Sequence, residues 1–270
     1  MGIRLKNVGW KFLMILFLIL FSFPIIPLII TSFSAGWRWP EILPDQFSLR
    51  AWNYVFSPYA GTWEAIGNSI FIAITVTFVN ILLCLPAANV IARMNFKGKI
   101  LIEGILYAPL IIPPFITVMG IHLTFIYLGF TESLIGVMIA HIAPTLPYML
   151  RALIISYQTI GLQWEEQASM LGAGKFNRLR FILLPHILPG IVAGSSLTIL
   201  VSLSQYLITF LIGGGHVVTL PIILFPFISG GDIGIGSAYM IIFSGLALLS
   251  LWTMNTLLKR YYKARITFIG

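Results

Sequence analysis

Few residues in this chain could do chemistry. Its four histidines, His122, His141, His186 and His216, lack metal-ligand spacing, and no H-E-x-x-H sequence occurs. Asp45 and Asp232 are the only aspartates, and neither falls in an apolar segment, where an intramembrane aspartyl protease would need two. No G-x-x-x-x-G-K-[ST] loop is present, so the chain does not itself cradle ATP phosphates. Glu103 is the one acid within an apolar segment. It lies near Lys99 at the segment start, where a helix dipole and a cation favour a carboxylate. A proton-coupled carrier usually holds its acid deep in the bilayer. The chain thus reads as neither an enzyme nor a carrier with its own energy source.

The most polar stretch of the second half is EEQASMLGAGKFNRLRFILLP, from Glu165 to Pro185. Ahead of it and within it, Ile160, Trp164, Ala168 and Leu171 recur at spacings of four, four and three, which predicts one apolar face of a short helix. Glu165, Glu166 and Gln167 lie off that stripe. Gly172 follows the last apolar position, where a C′ glycine stops a helix. Lys175, Arg178 and Arg180 come next, and Ile182, Leu184 and Pro185 lead back into apolar sequence. Such a helix is too small to fold alone. It needs a partner surface, or it lies on lipid.

A second pattern is a row of small polar residues. Ser195, Thr198, Ser202, Gln205 and Thr209 follow at spacings of three, four, three and four. His141, Thr145 and Tyr148 form a shorter row, with Pro144 and Pro147 among them. Two readings fit both rows: helices approaching closely through small polar side chains, or the wall of a polar path.

These residues need elements to hold them, and composition says in what solvent. Of 270 residues, 59% are hydrophobic and 9% charged, against roughly 25% charged in soluble proteins. Mean hydropathy is +0.98. The solvent is lipid. The single cysteine, Cys84, excludes an internal disulfide framework. A span needs about 20 apolar residues, and six segments qualify: 10–32, 66–92, 103–128, 134–155, 187–212 and 237–258. Pro109, Pro113 and Pro114 predict a kink in the third. The first is longer than a signal-peptide core and is expected to be an uncleaved anchor. No soluble domain and no repeat is expected, so residues 1–270 read as one transmembrane domain.

Fourteen of the 16 basic residues fall on one side: Arg4, Lys6, Lys11, Arg93, Lys97, Lys99, Arg151, Lys175, Arg178, Arg180, Lys259, Arg260, Lys263 and Arg265. Only Arg38 and Arg50 fall on the other. The positive-inside rule puts both termini and 156–186 in the cytoplasm. Segments 33–64 and 213–236 are then outside. The first is rich in Trp and Tyr and predicts an interfacial helix near Leu49–Phe56. The net charge of +8 is topological and calls for no nucleic acid.

Glu166, Ala168, Gly172, Ile182, Leu184 and Pro185 match the E-A-A-x3-G-x9-I-x-L-P loop with every spacing kept, except that Gln167 stands at the second position. In this the chain resembles the membrane subunits (permeases) of binding-protein-dependent ABC importers. NSI at Asn68–Ile70, PLIIPP at Pro109–Pro114, LPHILPGI at Leu184–Ile191 and TLP at Thr219–Pro221 are similar too, so the likeness covers about residues 60–260. The resemblance implies an all-α fold of six transmembrane helices with cytoplasmic termini, that of a type I ABC importer permease in the bacterial inner membrane. It implies a coupling helix, with Trp164, Glu165, Glu166, Ala168, Leu171, Gly172, Ile182, Leu184 and Pro185 docking on a separate ATPase. ATP and Mg would be bound in that partner, with no cofactor here. A second permease and an extracytoplasmic binding protein would complete the system. The fifth span's row would line the path. The motifs look most like the spermidine/putrescine group, with iron, thiamine and phosphonate importers as relatives. The alternative from another class is a self-sufficient channel or secondary carrier.

Overall fold

The structure is a computed structural model that describes residues 2–37, 41 and 43–267. Arg38 lies outside the described residues, as do the side chains of Arg4, Lys6 and Arg265. In chain order the helices are α1 (Gly2–Ser22), α2 (Ile25–Ser32), α3 (Arg50–Val55), α4 (Thr62–Arg93), α5 (Lys99–Ile111), α6 (Pro114–Leu128) and α7 (Leu134–Ile160). There follow α8 (Gln163–Met170), α9 (Lys175–Arg178), α10 (Leu184–Leu203), α11 (Tyr206–Gly213), α12 (Leu220–Gly230) and α13 (Ile233–Thr267). The only β pairing among the described residues is an isolated bridge between Ser34 and Phe47. Four of the helical runs are long and apolar enough to cross a membrane, and there are up to six spans if each of two bent pairs counts as one.

Two expectations are corrected, and one element is added. The third apolar segment is not one kinked helix but two, α5 and α6, bent by 105°. Tandem prolines explain it. Proline drives the residue before it out of the α region. Ile112 (ψ 133°) and Pro113 (ψ 131°) each precede a proline, and both are extended. The fifth segment is not one helix over 187–212. A helical run begins at Lys175, passes through a π turn at Leu179–Leu183 and ends at Leu203. The π turn ends two residues before Pro185, which has no N–H to offer the ladder. The chain then breaks at Ser204–Gln205 before α11. Finally, 213–236 contains a helix, α12, that the glycine-rich ends of the segment concealed.

The chain divides into two units: Met1–Thr62 with Ile223–Gly245, and Trp63–Ile222 with Leu246–Gly270. In the first, Arg50 grips Asp232 with two hydrogen bonds of 2.9 Å. Asp232 also accepts from the Ile235 N–H at 3.2 Å, an N-cap on α13. The Arg50 hydrogen bond holds the Asp232 carboxyl below its ordinary range. A depressed carboxyl stabilises the fold above its unfolded value, about 3.9, and the gain is lost as pH falls through the folded value. Because the pair is half exposed, Asp232→Asn should cost only about 1 kcal/mol at pH 7. In thermal-shift measurements the gap between parent and variant should narrow as pH falls below the ordinary carboxylate range.

The second unit is built around α7. One apolar cluster joins Ile72 and Val76 of α4 to Val137 and Ala140 of α7 and to Ile208 and Ile212 of α11. Another joins Cys84, Ala88 and Ile91 of α4 to Met149, Leu153 and Tyr157 of α7 and to Ile187 of α10. Helices α7 and α10 approach closely through Gly190 and Gly194, a G-x-x-x-G pair of the kind that lets membrane helices touch. A Cβ on Gly190 would collide with Ser156 Oγ and sit 2.8 Å from the Ala152 carbonyl oxygen. One on Gly194 would sit 2.6 Å from Met149 Sδ. Gly190→Val is therefore expected to lower the melting temperature of the purified protein. The loss should be of the order of overpacking, about 1–3 kcal/mol. A Ser156→Ala background should restore only part of it, because the Ala152 carbonyl stays.

Candidate coupling loop and translocation path

Helix α8 starts after Gly161 (φ +66°) and ends in a Schellman turn. The Gly172 N–H donates to Ser169 O at 3.0 Å and the Ala173 N–H to Ala168 O at 2.9 Å. Gly172 stands at φ +84°, the left-handed region that only glycine enters without penalty. Ile160 is not part of this helix: it is the last residue of α7 and is buried. The predicted four-residue face is therefore cut at Gly161. What α8 and its turn present is Trp164 (59% exposed), Met170 (86%) and Leu171 (89%), with Ala168 half-buried between them. Met170 was not in the predicted set. Its apolar spacing to Trp164 is six, which fits no helical stripe.

The two carboxylates differ. Glu166 is exposed. Glu165 turns inward and accepts a hydrogen bond of 2.6 Å from Arg93, the last residue of α4. The Arg93 side chain is only 8% exposed. It also donates to the Gly161 carbonyl at 3.4 Å and lies over the Tyr157 ring, 5.0 Å from its centroid. One guanidinium thus ties the end of α4, the end of α7 and the start of α8. On sequence alone Arg93 counts merely as a topological charge, and nothing in its spacing marks this role. Beyond the glycine turn, Ile182 is half-buried, Leu184 is partly exposed and Pro185 is buried, its carbonyl accepting from the Tyr262 hydroxyl at 2.9 Å.

The two polar rows meet. Ser195, Thr198, Ser202 and Thr209 are buried, as are His141 and Thr145. His141 Nδ1 lies 3.0 Å from Ser202 Oγ and His141 Nε2 lies 3.0 Å from Thr209 Oγ1. The Thr209 hydroxyl donates its proton to the Gln205 carbonyl at 2.7 Å. It must therefore accept from His141, which sets the proton on Nε2 and leaves Nδ1 to accept from Ser202. Thr145 Oγ1 bonds the His141 carbonyl at 2.6 Å and accepts from Asn80 Nδ2 at 2.7 Å. Asn80 Oδ1, Thr198 Oγ1 and Thr219 Oγ1 are buried with no partner. This polar layer lies between the two apolar clusters. The space enclosed by Ser69, His141, Ser202, Thr209 and Thr219 has no room for a water molecule.

Two members of the predicted rows are placed elsewhere. Gln205 is at the break between α10 and α11 (φ −76°, ψ 88°), so the five residues do not share one helix face. No proline or glycine marks that break. On either side of it the Ser204 hydroxyl donates to the Val201 carbonyl at 2.9 Å and the Thr209 hydroxyl to the Gln205 carbonyl at 2.7 Å, as irregular backbone inside a membrane requires. Tyr148 faces a separate cavity of about 730 Å³. Tyr107, Arg151 and Ser156 line it too, together with Pro189 and Leu197 of α10. Among the described residues, no group of three or more His, Cys, Asp or Glu side chains could hold a metal.

The profile of the family described as "Binding-protein-dependent transport system inner membrane component" matches residues 80–266. The chain belongs to this family. Among relatives of the permease is the putative 2-aminoethylphosphonate transport system permease protein PhnV of Salmonella typhi, 26% identical over 248 residues, 91% of this chain and 93% of that one. The molybdenum transport system permease protein ModB of Haemophilus influenzae is 30% identical over 219 residues, 74% of this chain and 95% of that one. The spermidine/putrescine transport system permease protein PotC of Escherichia coli K12 is 25% identical over 212 residues, 77% of this chain and 78% of that one. In fold the permease is like a chain of a bacterial ABC transporter involved in import of the polysaccharide alginate. There the TM-score is 0.68 at 15% identity, over 96% of this chain and 97% of that one. The all-α architecture of type I importer permeases is therefore the architecture of this multi-pass inner-membrane protein.

Proposed function

We propose that residues 1–270 form one transmembrane permease domain that carries a small polar solute inward, driven by a separate ATPase docked on α8. The observation that carries this reading is α8 itself. It keeps Trp164, Met170 and Leu171 exposed, while Arg93 and the Gly172 turn fix its position. In this reading Trp164, Ala168 and Leu171 fill a cleft of the ATPase, Glu166 meets its polar or basic groups, and Glu165 holds the helix from behind. Ile182, Leu184 and Pro185 join the loop to α10. A second permease, a second ATPase and an extracytoplasmic binding protein complete the assembly, and ATP with Mg is bound and hydrolysed in the ATPases.

His141, Thr145, Ser195, Thr198, Ser202, Gln205 and Thr209 form the closed middle of the path in this reading. Tyr148 belongs to the cavity on the cytoplasmic side of it. Buried polar atoms without partners at Asn80, Thr198 and Thr219 support a layer that exchanges partners when the path opens. The sequence motifs resemble the spermidine/putrescine group. The relatives' names extend to 2-aminoethylphosphonate and molybdenum systems, so they support a small polar solute without selecting a polyamine.

Reconstitution tests the reading. The permease alone in liposomes should move no solute, and addition of its ATPases, binding protein and ATP should start uptake. Movement by the chain alone would favour a channel or carrier. Sidedness is tested separately, in cells. Cysteines at Ser57 and Lys175 should label oppositely with a membrane-impermeant thiol reagent. Labelling from the same side would overturn the topology.

A further inference from the structure

Arg151 was counted above with the cytoplasmic charges, but it does not lie in a loop. It sits within α7, nine residues before Ile160, or about 13 Å along the helix axis. Ionisable groups inside a span are costly and are retained for function. Arg151 forms no ion pair among the described residues, whose ion pairs are Arg50–Asp232, Arg93–Glu165 and His216–Glu132. It lines the 730 Å³ cavity, where it is the only charged lining residue. Tyr107 and Tyr148, the other large polar residues of the lining, bring hydroxyls and no negative charge. The Tyr107 hydroxyl is buried without a hydrogen bond of good geometry, and both the Arg151 guanidinium and the Glu103 carboxylate lie within electrostatic reach of it. Glu103, one turn before Tyr107 on α5, does not line the cavity.

We infer that this cavity receives a negatively charged group of the transported solute, with Arg151 as its counter-charge. An oxyanion suits the donors: a guanidinium fork binds carboxylate or phosphate-like oxygens in pairs. Phenolic hydroxyls complete the donor set. A polycation would meet a like charge in a largely apolar wall that itself carries no acid. The inference rests on the permease reading for its direction of transport, but the electrostatics of the cavity stand apart from it. An anionic lipid headgroup carries the same chemistry, and the test separates the two sources.

The experiment uses the whole importer in vesicles. Cys84, which is buried, is replaced by Ala, and Ile155→Cys provides a thiol. Ile155 lines the cavity one turn from Arg151, where side chains are about 5–6 Å apart. Reaction rates are measured with an anionic reagent, sulfonatoethyl methanethiosulfonate, and a cationic one, trimethylammonioethyl methanethiosulfonate, present on both faces. Each rate is normalised to that of a free thiol. The anionic reagent should be favoured, and Arg151→Gln should lower the anionic-to-cationic ratio about tenfold. Arg151→Lys should keep it. A ratio favouring the cation, or one unmoved by Arg151→Gln, overturns the inference. Rates are compared in phosphatidylcholine vesicles and in phosphatidylcholine with phosphatidylglycerol. Equal rates support a solute site. Slowing by phosphatidylglycerol that vanishes in Arg151→Gln assigns the cavity to lipid and overturns a solute role. Co-purification of the ATPase from the same preparations reads the docking claim independently.

Discussion

Gly172→Val is expected to uncouple the permease from its ATPase while leaving the membrane helices in place. The residue stands at φ +84° with open space around it, so a side chain would fit and only the backbone objects. An ordinary L residue costs roughly 1–2 kcal/mol in this conformation, and β-branched valine costs more. The cheapest relief is to unwind the Schellman turn, which moves Met170 and Leu171 and redirects the chain into α9. Gly172→Ala should be the milder change and Gly172→Asn milder still, because asparagine tolerates the left-handed region. Glu166→Lys should act at the same surface by reversing an exposed charge, with no effect on the turn. In both Gly172→Val and Glu166→Lys, permease levels in the membrane should match the parent, while the ATPase recovered with tagged permease falls at least about tenfold, equivalent to 1.4 kcal/mol. Full recovery in both would mean that the loop is not the docking element.

The Arg93–Glu165 pair carries the second large effect, and it differs in kind. Neither residue need touch the ATPase. Arg93 is nearly buried, so Glu165→Ala strands a guanidinium that keeps only the Gly161 carbonyl and the Tyr157 ring. Hydrogen bonds to charged groups contribute about 1.5–3 kcal/mol, and removing one partner of a buried pair costs more than the bond itself. Glu165→Ala should therefore release α8 from α4 and α7. Uptake should fall about tenfold or more, with ATP hydrolysis persisting but no longer matched to transport. Arg93→Lys should not substitute, because one ammonium cannot serve carboxylate, carbonyl and ring together. The exchange Arg93→Glu with Glu165→Arg should recover part of what either single reversal loses. No recovery would show that the two residues act separately. A double-mutant cycle on the ratio of solute moved to ATP hydrolysed measures the coupling.

How far these features were readable without coordinates depends on what each one rests on. The apolar segments were legible because lipid forces about 20 apolar residues in a row. Gly172 was legible because a turn with positive φ admits few residues. Breaks were harder. Pro113 and Pro114 announce a disturbance, but their size as a 105° bend follows from both Ile112 and Pro113 being extended. The break at Ser204–Gln205 has no proline or glycine, and its carbonyls are served by Ser204 and Thr209 hydroxyls. Ordinary serines and threonines give no local warning of that. Arg93 and Arg151 were visible as charges and fit the topology, but the surroundings that give each a further role, Glu165 and the Tyr157 ring for Arg93 and the cavity for Arg151, come together only in the fold. Asn80 could have been noticed. A lone amide in the middle of an apolar run is a signal of its own, and in the structure it bonds Thr145 in the polar layer.

The central claim is that α8 is the surface through which a separate ATPase drives this permease. Photo-crosslinking reads it most directly. A benzophenone amino acid at Leu171, which is 89% exposed, should on illumination in native membranes form one dominant adduct with the ATPase subunit. The same probe at Ile160, buried at the end of α7, should form none. Adducts to lipid alone at Leu171 would mean that α8 lies on the bilayer surface, and would contradict the account.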